Sequence, residues 1–263
     1  MANRPIKSAE RTIALFELFS ATERPLSTGE VSKALLIPQS STTMLLRNLC
    51  SIGYLDFDRA TRLYKPTIRI LLLSSWMTRR FSETGQIASA LDALYERTRE
   101  VVILSIQNNA RMQTILMRGA DRAGTQFDVP NDDGERHIRI RSGLFASLTC
   151  SAMGRAVLSL KSNREIRSWT RRANAEADSP RLRIPEREML EVTDIVRQKG
   201  YAETQGVFRP GLGALAIAMP SPMDTTPLAI SVSMPVGRLA SKHDLVLDAL
   251  FAFRDQFTRA HRD

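Results

Sequence analysis

The chain has 263 residues, 43% of them hydrophobic and 25% charged, a composition typical of a globular protein with room for two modest domains. Its 37 Lys and Arg residues outnumber its 28 Asp and Glu residues, and the resulting net charge of +9 favours a polyanionic partner. The first residues lack the apolar run of a secretory signal, and aliphatic runs such as residues 70–73 are far too short to cross a bilayer. Composition and charge therefore exclude a membrane protein and predict a soluble cytoplasmic one.

The cysteine and histidine residues predict neither a disulfide scaffold nor a metal site. Cys50 and Cys150 lie far apart without a repeated spacing, which is typical of a protein in a reducing compartment. The three histidines, His137, His243 and His261, do not form a zinc-binding pattern with them. We therefore expect no metal and no cofactor.

The first 80 residues hold 12 Lys and Arg residues against 6 Asp and Glu residues, a net charge of +6 and two thirds of the chain's excess. Apolar residues at helical spacing predict a first helix that ends before residue 21. Ser27 and Glu30 have the spacing of a capping box, in which a hydroxyl and a carboxylate satisfy N–H groups where a second helix begins. Pro38 ends that helix and opens a third, which Gly53 stops. Three helices with a tight second turn predict a helix-turn-helix.

The third helix, expected over residues 38–51, has two predicted faces. Leu45, Leu49 and Ile52 lie at positions i, i+4 and i+7 and form the stripe that is expected to be buried. The opposite face carries side chains that can reach the phosphates or base edges of DNA, namely Gln39, Ser40, Thr43 and Arg47.

A β-hairpin is expected directly after this helix. Strands over residues 54–57 and 62–65 flank a turn, and Arg59, Arg62 and Lys65 give the hairpin a positive charge. A basic hairpin beside a recognition-type helix predicts a winged helix-turn-helix that binds double-stranded DNA. The alternative is a polar helix face that is only solvated.

Residues 8–75 resemble the DNA-binding domain of the isocitrate-lyase-regulator (IclR) family of bacterial transcription factors. The likeness is carried by Pro25, Leu26, Ser27, Val31, residues 37–41, Leu45, Leu46, Leu49, residues 53–55 and Tyr64. Ser27 and Ser41 belong to these segments and are counted among the candidate DNA-binding residues. The chain departs at Met44, where the family usually has a basic residue, and Arg47, one turn on, is expected to take over that phosphate contact.

Residues 68–84 continue a helical period beyond the predicted winged helix-turn-helix domain, residues 1–67. The resemblance implies that this stretch is a linker helix that helps dimerisation and that Trp76 makes a contact there. Packing in the core is the alternative. The second domain is expected over residues 85–263.

The second domain is predicted to mix helices with an antiparallel sheet, because its strand patterns do not alternate regularly with helices. Strands are expected over residues 101–107, 112–118, 137–141, 214–219 and 228–234. Helices are expected over residues 87–99, 151–160, 186–199 and 242–260, and the charged block 161–172 is interpreted as a solvated helical face. The polar residues 119–136 are expected to form an extended loop.

This half resembles the GAF-like effector-binding domain of the same family. The likeness is carried by residues 151–158, 200–202, Phe208, residues 210–211, 214–216 and 230–233. The predicted fold class is therefore α+β, an N-terminal winged helix-turn-helix joined by a linker helix to a GAF-like α/β effector-binding domain with an antiparallel sheet. Thr204, Val207 and Ala214 replace polar or acidic residues and a cysteine of the family signature, which makes this wall neutral and comparatively apolar.

A site for a small organic acid is predicted in the second domain. The helix that begins near Ser151 presents N–H groups and the positive end of its dipole, which favour a carboxylate. Strand alternation puts Ser231 and Ser233 on one face, where they either face solvent or line a polar cavity, and the resemblance favours the cavity. The candidate effector-binding residues are Ser151, Ala152, Met153, Gly154, Thr204, Ala214, Ser231 and Ser233.

Two catalytic patterns are set aside. Residues 211–216 fit the spacing of a dinucleotide-binding loop, but a proline precedes them and a strand-like run follows, where that motif needs a strand before it and a helix after it. Cys150 could be a nucleophile at a helix N-terminus, yet no third group accompanies it and a buried structural cysteine is the preferred interpretation.

The sequence thus predicts a ligand-responsive transcription factor rather than an enzyme. Such a protein is expected to be a homodimer or tetramer on a palindromic operator, since two-fold symmetry sets the spacing of half-sites. Two alternatives stay open, which are an enzyme whose C-terminal pocket acts on a small molecule and a protein-interaction module whose winged helix does not touch DNA.

Overall fold

In the computed structural model, the residues described are 6–73, 86–119, 125–128, 137–140, 145–219 and 227–259. The chain divides into two units, Met1–Glu83 and Thr84–Asp263. The predicted contact residue Trp76 lies outside the described residues, and so does most of the predicted linker helix.

The first unit has the predicted three helices and hairpin. Its elements are α1 (Lys7–Thr22), α2 (Thr28–Leu35), α3 (Gln39–Ser51), β1 (Leu55–Asp58), β2 (Leu63–Pro66) and the short α4 (Arg69–Leu73). Strands β1 and β2 are antiparallel, with Leu55 opposite Pro66 and Asp58 opposite Leu63. Apolar side chains from all three long helices and the hairpin form one core, which includes Leu15, Phe19, Leu26, Val31, Leu46, Leu49, Leu55 and Tyr64.

The turns between these helices follow from identifiable residues. Ser27 and Glu30 form the predicted capping box, in which each side chain bonds the other's backbone N–H, so α2 begins with its first donors satisfied. Leu36 adopts a left-handed conformation at the end of α2. Gly53 has a φ of +81° after α3, which is the conformation predicted for it and one that glycine adopts without strain.

The buried stripe of α3 differs from the predicted one. Thr42, Leu46 and Leu49 are buried, whereas Leu45 is only half-buried and Ile52 is 47% exposed. Ile52 lies beyond the last helical residue and so leaves the helical face. Thr42 was overlooked because it is polar, but its hydroxyl donates to the carbonyl of Pro38 at 3.1 Å and can therefore be buried.

The second unit has the predicted mixture of helices and strands. Its helices are α5 (Gln86–Thr98), α6 (Ala152–Ser159), α7 (Asn163–Ala175), a 3₁₀ turn (Pro180–Leu182), α8 (Glu186–Lys199) and α9 (Val236–Arg259). Its strands are β3 (Val101–Asn108), β4 (Arg111–Arg118), β5 (Thr125–Asp128), β6 (His137–Ile140), β7 (Phe145–Ser147), β8 (Ala202–Gln205), β9 (Leu212–Met219) and β10 (Leu228–Pro235).

Six of these strands form one antiparallel sheet, in the order β7-β4-β3-β10-β9-β8. The predicted α+β class with an antiparallel sheet is confirmed. Every residue from 228 to 234 in the central strand β10 is buried, so both faces of the sheet are covered there. Helix α6 packs on the face that carries Ala229, while α9 contacts β9 and β10.

Several predicted boundaries were wrong. Strands β5, β7 and β8 were not predicted, because these short segments lack the regular alternation of polar and apolar residues that the similarly short β6 has. Strand β5 lies inside the stretch 119–136 that was expected to be a loop, and it pairs with β6. Helix α9 begins at Val236, six residues before the prediction. The charged block does form a helix, α7, but that helix buries Ile166, Thr170 and Ala173.

Candidate functional sites

The exposed face of α3 carries the polar side chains that the sequence predicted there. Gln39, Ser40 and Arg47 are exposed, and Ser41 and Thr43 are half-buried. The Thr43 hydroxyl donates to the carbonyl of Gln39 at 2.8 Å, which leaves its oxygen able to accept one hydrogen bond. This face can therefore offer a guanidinium, an amide and several hydroxyls to a polyanion.

The hairpin β1–β2 adds three exposed cationic side chains, those of Arg59, Arg62 and Lys65. Lys65 has its Nζ 3.5 Å from the Asp56 carboxylate, whereas neither arginine has a carboxylate partner among the described residues. Hydrogen bonds from the Thr61 side chain and from the N–H groups of Ala60 and Thr61 hold the pKa of Asp58 below its ordinary value, so the turn stays folded around a carboxylate. Arg62 adopts a φ of +57° at the end of this turn.

Ser27 is engaged within the protein. Its hydroxyl donates to Oε2 of Glu30 at 2.8 Å and accepts from the N–H of Glu30 at 3.3 Å. The backbone N–H of Ser27, with help from Arg24 and the Ser27 hydroxyl, lowers the pKa of Glu30 to about 2. Of the predicted DNA-binding residues, Ser27 is therefore the one with a clear structural role of its own.

A cavity of about 50 Å³ lies where the N-terminus of α6 meets the sheet. Seven of the eight predicted effector-binding residues line it, namely Ser151, Ala152, Met153, Thr204, Ala214, Ser231 and Ser233. The other walls are mainly apolar, from side chains such as Ile103 and Leu212, and Thr114 adds another hydroxyl. The structure thus brings together predicted residues that are up to 82 positions apart in the chain.

Gly154 is the predicted site residue that does not line this cavity. A Cβ at this position would lie 2.0 Å from the carbonyl oxygen of Leu148, so only glycine allows the backbone to approach so closely. Its N–H donates to the Ser151 hydroxyl at 3.1 Å. Gly154 therefore positions the helix and offers no donor, and the N–H groups of Ala152 and Met153 are the ones left at the N-terminus.

The hydroxyls in the cavity differ in their hydrogen bonding. Ser151 donates to the carbonyl of Ser147 at 2.6 Å and so is satisfied within the protein. Ser231 is fully buried, and its Oγ has no hydrogen-bond partner among the described residues. An unsatisfied buried hydroxyl costs about 1–3 kcal/mol, which a polar ligand group in the cavity would recover.

A wider cleft of about 470 Å³ adjoins this cavity and was not predicted. The two share a wall of four residues, Phe145, Ala146, Phe208 and Arg209, from strand β7 and from the loop between β8 and β9. Arg209 was missed because loop residues lack the periodicity on which strand faces are assigned. Its only signal in the sequence is a charged residue between Phe208 and Pro210.

The two segments that resemble catalytic motifs lie in a strand and in a buried turn. Residues 212–219 are strand β9, so no helix opens at the glycine-rich segment as nucleotide binding would need. Cys150 is buried, and its Sγ lies 3.2 Å from the carbonyl oxygen of Leu182. Across the described residues, no group of three or more His, Cys, Asp or Glu side chains could hold a metal ion, and no helix is long and apolar enough to cross a membrane.

Comparison with known proteins assigns both units to one family. The profile of the bacterial transcriptional regulator IclR C-terminal domain matches residues 85–256, and that of the IclR helix-turn-helix domain matches residues 8–59. The chain belongs to the IclR family of bacterial transcriptional regulators. The HTH-type transcriptional regulator KdgR of Dickeya chrysanthemi is 20% identical over 245 residues, which cover 91% of this chain and 76% of that protein.

Solved IclR structures share the fold. An IclR regulator from Silicibacter sp. TM1040 has a TM-score of 0.73 at 17% identity, with 97% of this chain and 96% of that one covered. An IclR homologue from Microbacterium hydrocarbonoxydans, crystallised with 4-hydroxybenzoate, has a TM-score of 0.70 at 12% identity, with 94% and 98% covered. Identities this low show a common fold and leave the details of the sites to the residues of this chain.

Proposed function

We propose that this IclR-family regulator acts in the cytoplasm, where it binds a palindromic operator as a homodimer or tetramer and responds to a small organic acid. Helix α3 and the hairpin β1–β2 contact the DNA, and the cavity beside α6 binds the effector. The observation that carries the second part is the buried hydroxyl of Ser231, which faces a cavity and lacks a partner among the described residues.

The DNA-binding part rests on charge and exposure. Arg47 on α3 and Arg59 and Arg62 in the hairpin turn are exposed, and within the described part of the chain none of them has a carboxylate partner. Cations of this kind bind DNA phosphates and release counterions, so they contribute affinity on every sequence. Gln39, Ser40 and Thr43 on the same helix offer the hydrogen bonds that distinguish bases.

Salt-dependent binding tests this interface. Arg47→Ala and Arg62→Ala should each weaken binding to the operator and to unrelated DNA alike. Each lost phosphate contact should flatten the slope of log K against log salt concentration by about 0.9. Arg187→Ala, which removes an exposed arginine of α8 that pairs with Glu191, is the control and should leave the slope unchanged. Unchanged affinity in both α3 and hairpin variants would place the DNA surface elsewhere.

The effector part rests on the donors that converge on the cavity. The N–H groups of Ala152 and Met153 and the hydroxyls of Ser231 and Ser233 can donate to a carboxylate, and the dipole of α6 favours a negative charge there. Among the described residues, no acidic side chain lines the cavity, which disfavours a cation. The relative that was crystallised with 4-hydroxybenzoate supports an organic acid as the class of ligand.

Calorimetry on the full chain tests this assignment with a panel of small acids and amines. Acids should bind, amines should not, and the double variant Ser231→Ala/Ser233→Ala should lose most of the affinity. Ser241→Ala, which removes a hydroxyl that bonds only the α9 backbone, is the matched control. Binding of an acid should change operator affinity through a coupling of about 1–3 kcal/mol. Tight binding of an amine, or acid binding that the double variant leaves intact, would contradict the proposal.

A further inference from the structure

The size of the inner cavity limits how much of a ligand it can hold. Its volume is about 50 Å³, where roughly 10–15 Å³ of such space is enough for one water molecule, so it holds about four non-hydrogen atoms. The cavity therefore accommodates a head group such as a carboxylate with its neighbouring carbon. The rest of any larger effector must extend past the shared wall into the adjoining cleft of about 470 Å³.

Arg209 stands at that junction, since it lines both spaces. Its guanidinium lies over the Phe208 ring, 5.5 Å from the ring centroid, and has no carboxylate partner among the described residues. The backbone around it is fixed, because its carbonyl accepts from Leu212 N–H at 3.2 Å and the Phe208 carbonyl accepts from Arg181 at 3.5 Å. The loop backbone is thus anchored at the passage, and the guanidinium packs on the ring of the preceding residue.

The remaining charges of the cleft leave it positive. Of the described residues, two with carboxylates line it, and each has a cationic partner already. Asp178 accepts from Arg111 at 3.3 Å, and Glu176 accepts from Arg172 at 2.8 Å. Within the described part of the cleft, Arg209 is therefore a cation that no protein carboxylate neutralises, next to a site whose other donors suit an acid.

We propose that the effector carries two acidic groups, of which one occupies the inner cavity and the other pairs with Arg209 in the outer cleft. This inference rests on the proposed function and assigns the ligand class of the same site, a dicarboxylate with a short apolar body. The four-residue wall of Phe145, Ala146, Phe208 and Arg209 is apolar except for the guanidinium, which suits methylene groups between two charged ends. Arginine recognises a carboxylate by paired hydrogen bonds, so it also sets the distance between the two ends.

Matched pairs of acids on the full chain test this inference. The pairs are butyrate with succinate, valerate with glutarate, and hexanoate with adipate, and calorimetry gives each affinity. For at least one chain length the dicarboxylate should bind about tenfold more tightly or better, as expected for a hydrogen bond between charged groups. Arg209→Gln should abolish that preference and leave the affinity for the monocarboxylates within about twofold.

Two further variants make the result specific. Arg209→Lys keeps the charge but loses the paired geometry, so it should retain part of the preference. Arg187→Gln removes an exposed arginine of α8 and should retain all of it. A wild type that binds both members of each pair equally, or an Arg209→Gln variant that weakens both members alike, overturns the inference while leaving the organic-acid site standing. Failure of every acid to bind overturns the inference and the proposed function together.

Discussion

Short hydroxyl side chains occupy both candidate sites, but their surroundings satisfy them differently. On α3 the buried Thr42 donates to the carbonyl of Pro38, and Thr43 donates to that of Gln39. On β10 the buried Ser231 has no partner among the described residues. A helix offers each hydroxyl a carbonyl four residues back, whereas an extended strand offers none of its own in that position. Ser105 on β3 finds its acceptors in other elements, at Met153 Sδ and the Ala229 carbonyl, and Ser231 finds none among the described residues. The hydroxyls of Thr42 and Thr43 are therefore satisfied by their own helix, whereas that of Ser231 is left open to a ligand.

The buried face of α3 packs in the core of the first unit, so the largest effect on the free energy of unfolding is expected there. Leu46→Ala removes a fully buried side chain from the core of the first unit and should lower its free energy of unfolding by about 2–5 kcal/mol. Met44→Ala, at a side chain that is 73% exposed on the same helix, is the control and should be close to neutral. Urea unfolding followed by circular dichroism measures both. A neutral Leu46→Ala beside a damaging Met44→Ala would invert the faces of the helix.

The position of α6 beside the cavity depends on the close approach of Gly154 to the backbone of Leu148. Gly154→Ala places a Cβ against the Leu148 carbonyl and should cost about 1–3 kcal/mol, because backbone has to move. The first turn of α6 should shift with it, and acid binding should weaken. Gly237→Ala, also near the start of a helix but with nothing within 4 Å, should instead be neutral or stabilise by up to about 1 kcal/mol. Equal effects at the two glycines would mean that the close approach is not what requires glycine.

Two substitutions compare a hydroxyl that is bonded within the protein with one that has no partner among the described residues. Ser27→Ala breaks the capping box and should destabilise the first unit by about 1 kcal/mol. Ser231→Ala removes an unpartnered buried hydroxyl, so it should leave the ligand-free protein as stable as before or slightly more stable, while reducing acid binding. Thermal unfolding with and without an acid ligand separates the two quantities. Destabilisation of the ligand-free protein by Ser231→Ala would show that the hydroxyl is satisfied within the fold.

The sequence could predict features whose signals lie within a few consecutive residues. These are the capping box, the stop at Gly53, the long helices and the central strands. The short strands β5, β7 and β8 could not be predicted, since they lack the alternation of polar and apolar residues seen in β6 and take their structure from their neighbours. Ile52 is exposed because α3 ends at Ser51, one residue before it. Sequence patterns define the ends of helices less well than their centres.

The candidate sites show the same division. Alternation along β10 predicted that Ser231 and Ser233 share a face, and the structure lines the cavity with both. The sequence alone could not predict that the Ser151 hydroxyl accepts from the N–H of Gly154, because this cap depends on where the first turn of α6 begins. Arg209 lies in a loop whose neighbour across the cleft, Phe145, is 64 residues away in the sequence. Only the fold brings these two together.

The smallest expected effect concerns the pH dependence of the capping box. The backbone N–H of Ser27 and, next, the Arg24 side chain lower the pKa of Glu30 to about 2 in the folded protein, against about 4.3 for a glutamate in an unfolded chain. Because the folded pKa is the lower one, the carboxylate's contribution to stability is complete above about pH 5. That contribution falls as the pH drops from about 5 to about 2, and it is lost below about pH 2.

Glu30→Gln removes the titrating group and leaves a neutral acceptor for the Ser27 N–H. The difference in unfolding temperature between the wild type and Glu30→Gln should therefore be greatest near pH 5.5 and shrink steadily towards pH 2. In an Arg24→Gln background, which removes the ion pair of 2.7 Å to Glu30, the decline should be smaller and should end at a higher pH, since less of the pKa shift remains. Thermal unfolding across this range measures both curves. A difference that stays constant, or that grows on acidification, would mean that the charged form of Glu30 is not what the capping box stabilises.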